Sequence, residues 1–161
     1  MSRREAWLST GAVFVLALAV RLWAAGQVVF PLPEDTAYYV GVARNLIEGN
    51  GLVSNAIWSY GTPPLEFPRP ACEVWLPLPT FLAAGSMAIL GATFEAAKLP
   101  FTVLGALTAV LAWRLGADVA GELRLPPGRA RTLALGAGAT AAVYLPLVLH
   151  GALPDSTTPF A

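Results

Sequence analysis

The stretch AWLSTGAVFVLALAVRLWAAGQVVF (residues 6–30) carries a single charged side chain, Arg21. It is long enough to cross a bilayer as a helix, which takes roughly 20 predominantly apolar residues. Arg3 and Arg4 precede it, and the paired carboxylates Glu34 and Asp35 follow it. A secretory signal peptide is the competing reading, because AVRLWAAG ends in small residues. Arg21 argues against that reading, since it would interrupt the apolar centre such a peptide needs. The run is read as the first of a set of membrane crossings.

The rest of the chain agrees with that reading. Only 12% of the 161 residues are charged and 56% are hydrophobic, whereas soluble domains carry about 25% charged residues. The net charge of +0 gives no bulk electrostatic basis for a nucleic-acid partner. Cys72 is the sole cysteine and cannot form an internal disulfide. The 14 prolines and 15 glycines punctuate the apolar runs. The expected fold class is all-α: a polytopic membrane protein with about three transmembrane helices plus juxtamembrane helices at the outer face.

Residues 31–74 form the polar interval, an expected outer loop with a short helix over 35–48. Val40, Ala43 and Ile47 share one face of that helix. Asp35 or Thr36 can cap its start, and Gly49 and Gly51 can end it. Beyond it, Pro63, Pro64, Pro68 and Pro70 forbid a regular helix, while Trp58, Tyr60, Phe67 and Trp75 suit a membrane–water interface. Three more apolar runs cover 75–91, 99–113 and 132–150. The first is marginal in length and has Pro77 and Pro79 near its start. Arg114, Arg124, Arg129 and Arg131 fall in the interval 114–131. The positive-inside rule puts them on the cytoplasmic side with Arg3 and Arg4 if 75–91 is juxtamembrane or re-entrant and does not span. The N-terminus is then cytoplasmic, 114–131 is a cytoplasmic loop, and the second outer loop, 151–161, brings Asp155 out on the side of Glu34 and Asp35.

Glu34 and Asp35 suit either a helix cap, favoured by the macrodipole, or a general base or oxygen ligand for Mg²⁺ or Mn²⁺. Asp155, in LPDSTTPF, is either a cap or a second acidic group at the same site, and the tentative metal set is Asp35 with Asp155. Arg21 either snorkels toward the outer headgroups or faces inward to meet a carboxylate or phosphate. Arg44 and Arg69 can meet a phosphate without a burial cost. His150, with no second His or Cys nearby, reads as interfacial. Phosphate-loop, nucleophile-elbow and Cys/His metal spacings are missing from the sequence.

The order of parts resembles the membrane glycosyltransferases of the GT-C fold, which include the dolichyl-phosphate-mannose protein mannosyltransferases and the bacterial aminoarabinose transferases. The resemblance is carried by Arg21-Leu22 in the first crossing and by EDTAYYVGVARNLIEGNGL after it. PRPACEVWLPLPTFLAAGSMAILG, AAKLPFTVLGALTAVLAWRLG and LPDSTTPF continue it. It implies an inverting transfer of sugar from a polyprenyl-phosphate donor, held by membrane lipid, to an acceptor at the outer face. Asp35 matches the catalytic acidic position, with Glu34 as its substitute, and Asp155 matches the second acidic position. Arg44, Arg69, Tyr38 and Arg21 are the candidate substrate-binding residues, and a divalent cation is the implied cofactor. Family members are usually about three times longer, so the chain is expected to be an N-terminal part, inactive alone. A bacterial inner (plasma) membrane is the expected location. The alternative is a non-catalytic small membrane subunit or transporter fragment whose outer loop is a docking surface.

Overall fold

The computed structural model describes residues 3–32, 34–56, 66–73 and 75–160. Trp58, Tyr60, Pro63 and Pro64 lie outside the described residues. The chain is mostly helical. Helix α1 (Arg3–Gly26) is followed by α2 (Glu34–Ile47) and by two short strands, β1 (Val53–Ser54) and β2 (Arg69–Pro70). The strands pair antiparallel, Val53 opposite Pro70. Then come α3 (Leu78–Leu90), α4 (Phe94–Glu122), α5 (Pro127–Val143), α6 (Leu145–His150) and the single turn α7 (Thr157–Phe160). Two of these helices, α1 and α4, are long and apolar enough to cross a membrane. At 13 residues, α3 is about 20 Å long, short of a hydrocarbon core of about 30 Å.

Helices α1, α4 and α5 pack together as a bundle. Its core is built from small residues: Val13 and Ala17 meet Ala106, Ala109 and Trp113, which meet Ala134, Ala141 and Ala142. Two glycines set the spacing. A methyl group on Gly138 would lie 2.8 Å from Trp113 Cβ and 3.1 Å from Val13, and one on Gly116 would lie 3.0 Å from Ala137 Cβ. Glu5, Leu8, Ser9 and Ala12 border one cleft with Arg131 and Leu135, so α1 and α5 run in the same direction and α4 returns between them. Arg3, Arg4, Arg124, Arg129 and Arg131 therefore gather at one end. A second cluster joins Val40 and Ala43 of α2 to Ala83, Ala84 and Met87 of α3 and to Phe94, Ala97 and Phe101 of α4. The Val40–Ala43–Ile47 face expected from the spacing is the face that packs.

Several boundaries differ from expectation. Helix α4 covers 94–122 and so absorbs the first half of the loop expected over 114–131, and α5 takes 127–131. The apolar run ends at Trp113, but Arg114 pairs with Asp118 at 3.2 Å, an i,i+4 contact that favours helix on an exposed face. The run 132–150 is broken: α5 ends at Val143 and α6 begins at Leu145. Pro146 causes the break, because it has no N–H to offer the Ala142 carbonyl.

Arg21 repairs that break. It is fully buried, at 0% exposure, and its guanidinium donates to the carbonyls of Ala17 and Ala142 at 3.2 Å, Ala141 at 3.3 Å and Leu147 at 3.4 Å. It faces inward and does not snorkel, and its hydrogen-bond partners among the described residues are carbonyls, not a carboxylate. An uncapped helix end inside the bundle attracts the cation first. The same logic repeats at Lys98, whose Nζ donates to Ala25 at 2.8 Å and Val28 at 2.9 Å where α1 ends. Ser86 Oγ donates at 2.7 Å to Ala96, the carbonyl that Pro100 leaves without its helical donor.

The seam makes a paired prediction. Gly138→Val should lower the thermal midpoint in detergent, with a cost of about 1–3 kcal/mol from overpacking. Gly11→Val, where a Cβ meets nothing within 4 Å, should leave it nearly unchanged. Equal shifts in the two variants would refute the close approach at Gly138.

Candidate functional site

The end of the bundle away from the arginines gathers the acids. Asp35 lies in the first turn of α2, which begins at Glu34. The helix thus starts one residue earlier than expected, and Asp35 and Thr36 sit inside the first turn, not at the cap. The positive end of the helix dipole still favours carboxylates there. Glu34 is exposed beside Asp35. Among the described residues Asp35 has no hydrogen-bond or ion-pair partner.

Asp155 arrives from the other end of the chain. Its Oδ1 accepts from the Thr157 N–H at 3.0 Å, from Thr157 Oγ1 at 3.2 Å and from Ser156 Oγ at 3.3 Å. It therefore caps α7, one of the two roles expected of it. Its Oδ2 lies 2.8 Å from His150 Nδ1, so His150, read as interfacial, is a partner of the acid. The turn through Gly151 and Pro154 folds the chain back and creates that contact. Arg21 steers this turn, since it holds the Leu147 carbonyl and packs on Gly151, where an added Cβ would lie 2.8 Å from Nε. A Cβ on Gly105 would fall 2.6 Å from the same atom.

The two acids are close enough to sense each other. Burial raises the Asp35 carboxyl above its ordinary value, and the negative charges of Asp155 and Glu34 raise it further. Burial pushes Asp155 up as well, but the Thr157 N–H, His150 and the Thr157 hydroxyl outweigh it and hold Asp155 below its ordinary value. Two carboxylates are thereby pushed apart, Asp155 toward the anion and Asp35 toward the proton-accepting range. Tyr39 completes the group. Its phenol is buried beside Ser156, and burial together with the charges of Asp35 and Asp155 raises it.

The other expected site residues lie elsewhere. Arg44 is exposed on α2, nine positions and about 14 Å along the helix from Asp35. Arg69 makes a two-pronged contact with Glu73, both distances 2.9 Å. Tyr38 accepts the Cys72 N–H at 2.8 Å and so ties α2 to the chain after β2. Arg21 is inside the bundle. His150 and Tyr39 were not foreseen as site residues. A histidine five positions before an aspartate across a Gly/Pro turn is the only signal in the sequence that points to the first of them.

Among the described residues no group of three His, Cys, Asp or Glu side chains converges as a metal site. Mg²⁺ asks for only one or two carboxylates besides substrate phosphate and water. Asp35 fits that requirement best, because both Asp155 oxygens are already engaged.

The chain matches no family model, no curated protein and no solved structure.

A pH titration followed by carboxyl ¹³C NMR should show Asp35 taking up its proton at higher pH than Asp155. In Asp155→Asn the repelling charge is gone, so the Asp35 midpoint should move down toward the ordinary value of about 3.9. An Asp35 midpoint that does not move would show that the two acids are not coupled.

Proposed function

We propose that this chain is an integral membrane protein and the N-terminal catalytic part of a glycosyltransferase. In this reading it moves a sugar from a polyprenyl-phosphate donor to an acceptor at the outer face of a bacterial inner membrane. The observation that carries the proposal is the proximity of Asp35 to Asp155, whose charge it senses, at the end of the bundle opposite the arginines. Exposed Trp7, Val15 and Trp23 on α1 and Leu107, Leu111 and Leu115 on α4 form more apolar surface than water-exposed proteins leave uncovered, which supports lipid around the bundle. The clustering of Arg3, Arg4, Arg124, Arg129 and Arg131 supports a cytoplasmic N-terminus by the positive-inside rule.

The chemistry follows from the two carboxylates. An acceptor hydroxyl oxygen attacks the anomeric carbon of the donor, and its proton passes to Asp35. The bond from the anomeric carbon to the phosphate oxygen breaks, and polyprenyl phosphate leaves with the electron pair. The raised affinity of Asp35 for a proton suits a general base. Asp155, held as an anion by His150 and Thr157, maintains that shift by its charge. The Tyr39 hydroxyl supplies a polar group at the same place. In the alternative to the base role, Asp35 would hold Mg²⁺ or Mn²⁺, which would neutralise charge on the donor phosphate.

Two measurements test the reading. In a Cys72→Ser background, a cysteine at Asn50 should label with an impermeant thiol reagent in intact cells, and one at Arg129 only after permeabilisation. The same label at both positions from outside would overturn the topology. In membranes that hold the full-length protein and are supplied with polyprenyl-phosphate sugars, Asp35→Asn should slow transfer by about 100-fold or more. Unchanged transfer would remove Asp35 from the chemistry, and an absence of donor binding would favour a non-catalytic subunit.

A further inference from the structure

At the arginine end, α4, the turn at 123–126 and α5 enclose a cavity of about 280 Å³. That is close to the lower end of the ~300–1,000 Å³ range of ligand pockets, a size for a compact polar group. Its lining is cut back to Ala117, Ala120, Gly121 and Ala134, and its charged members are Arg124 and Arg131. Neither arginine is in an ion pair among the described residues, in contrast to Arg114, which holds Asp118. No carboxylate lines the cavity among those residues. Glu5 borders the separate cleft on the other side of Arg131, and Glu122 is exposed at the end of α4. The first turn of α5 has no acidic residue and its cap, Pro126, offers no side-chain acceptor.

We propose that this cavity holds the phosphate headgroup of an anionic membrane phospholipid. A guanidinium matches phosphate with two parallel N–H donors, and two arginines line this half-open pocket with no carboxylate in its lining among the described residues. Basic pockets between membrane helices at the headgroup level are sites for such groups. The surroundings favour a lipid over a free anion: Leu115, Leu123 and Leu133 are exposed on the same elements and give acyl chains an apolar surface to lie on. The small residues at the α4–α5 seam leave the volume that the headgroup fills. This inference rests on the bilayer placement proposed above and not on the glycosyl-transfer reading.

The test uses the whole chain in detergent and counts bound lipid by native mass spectrometry. Phosphatidylglycerol should be retained over phosphatidylcholine. The double variant Arg124→Gln/Arg131→Gln should weaken phosphatidylglycerol binding by roughly thirtyfold, the worth of two juxtamembrane arginines. Ala130→Trp, which fills the cavity and keeps every charge, should weaken it too, with helicity unchanged by circular dichroism. Arg3→Gln/Arg4→Gln removes as much charge from the same end without touching the cavity, and should have little effect. Equal losses in the two double variants would mean that diffuse charge, not this cavity, attracts the lipid. Full retention by Ala130→Trp would likewise overturn the proposal. Displacement of phosphatidylglycerol by an equal concentration of inorganic phosphate would reassign the cavity to a free anion.

Discussion

A backbone carbonyl stripped of its helical donor in a dry interior must find another, because no water can reach it. This constraint organises the molecule. Pro100 strips Ala96, and Ser86 of α3 supplies the hydroxyl. Pro146 strips Ala142, and Arg21 of α1 supplies the guanidinium. The end of α1 leaves Ala25 and Val28, and Lys98 of α4 supplies the ammonium. Each repair crosses from one helix to another, so satisfying a local defect is what joins the elements. The two cations also sit at helix C-termini, where the macrodipole is negative.

The candidate site is downstream of one of these repairs. The break at Pro146 lets α6 leave the axis of α5, and the grip of Arg21 on Leu147 sets where it goes. Only then does the turn through Gly151 bring His150 onto Asp155 and Asp155 near Asp35. The polarity of the acid pair, one carboxyl held as an anion and the other raised, is therefore a property of the tertiary structure. Neither α2 nor the α6–α7 turn would produce it alone.

This explains what could be read from the sequence. The mostly helical fold, the apolar runs that became α1 and α4, the α2 face of Val40 and Ala43, and the two acids were visible because hydropathy and residue type are local. The helix ends were not. The stretch 114–122 looked like a loop because its charges were counted as polarity, when Arg114 and Asp118 are a helical pair. Arg21 looked like a residue seeking water or a carboxylate because its partners are carbonyls, which every residue carries and no sequence pattern marks. His150 and Tyr39 became visible as site residues only once the chain had turned back. The two-residue strands β1 and β2 were equally hidden, since a pairing that short has no period to detect.

The reach of Arg21 also dictates an order of events. Its partners at Ala141 and Ala142 lie 120 and 121 positions further along the chain. During synthesis α1 exists for most of that time with one native partner for its guanidinium, the Ala17 carbonyl on its own helix. An arginine inside a bilayer-spanning helix is costly without partners, and Arg21 lies five residues from the end of α1, so in a membrane α1 gains its full stability only when α5 and α6 have been made. Gly105 arrives with α4 and leaves room beside the side chain; α5 and α6 then close over it. Helix α1 therefore waits for α5 and α6, whose carbonyls complete the partners of its guanidinium.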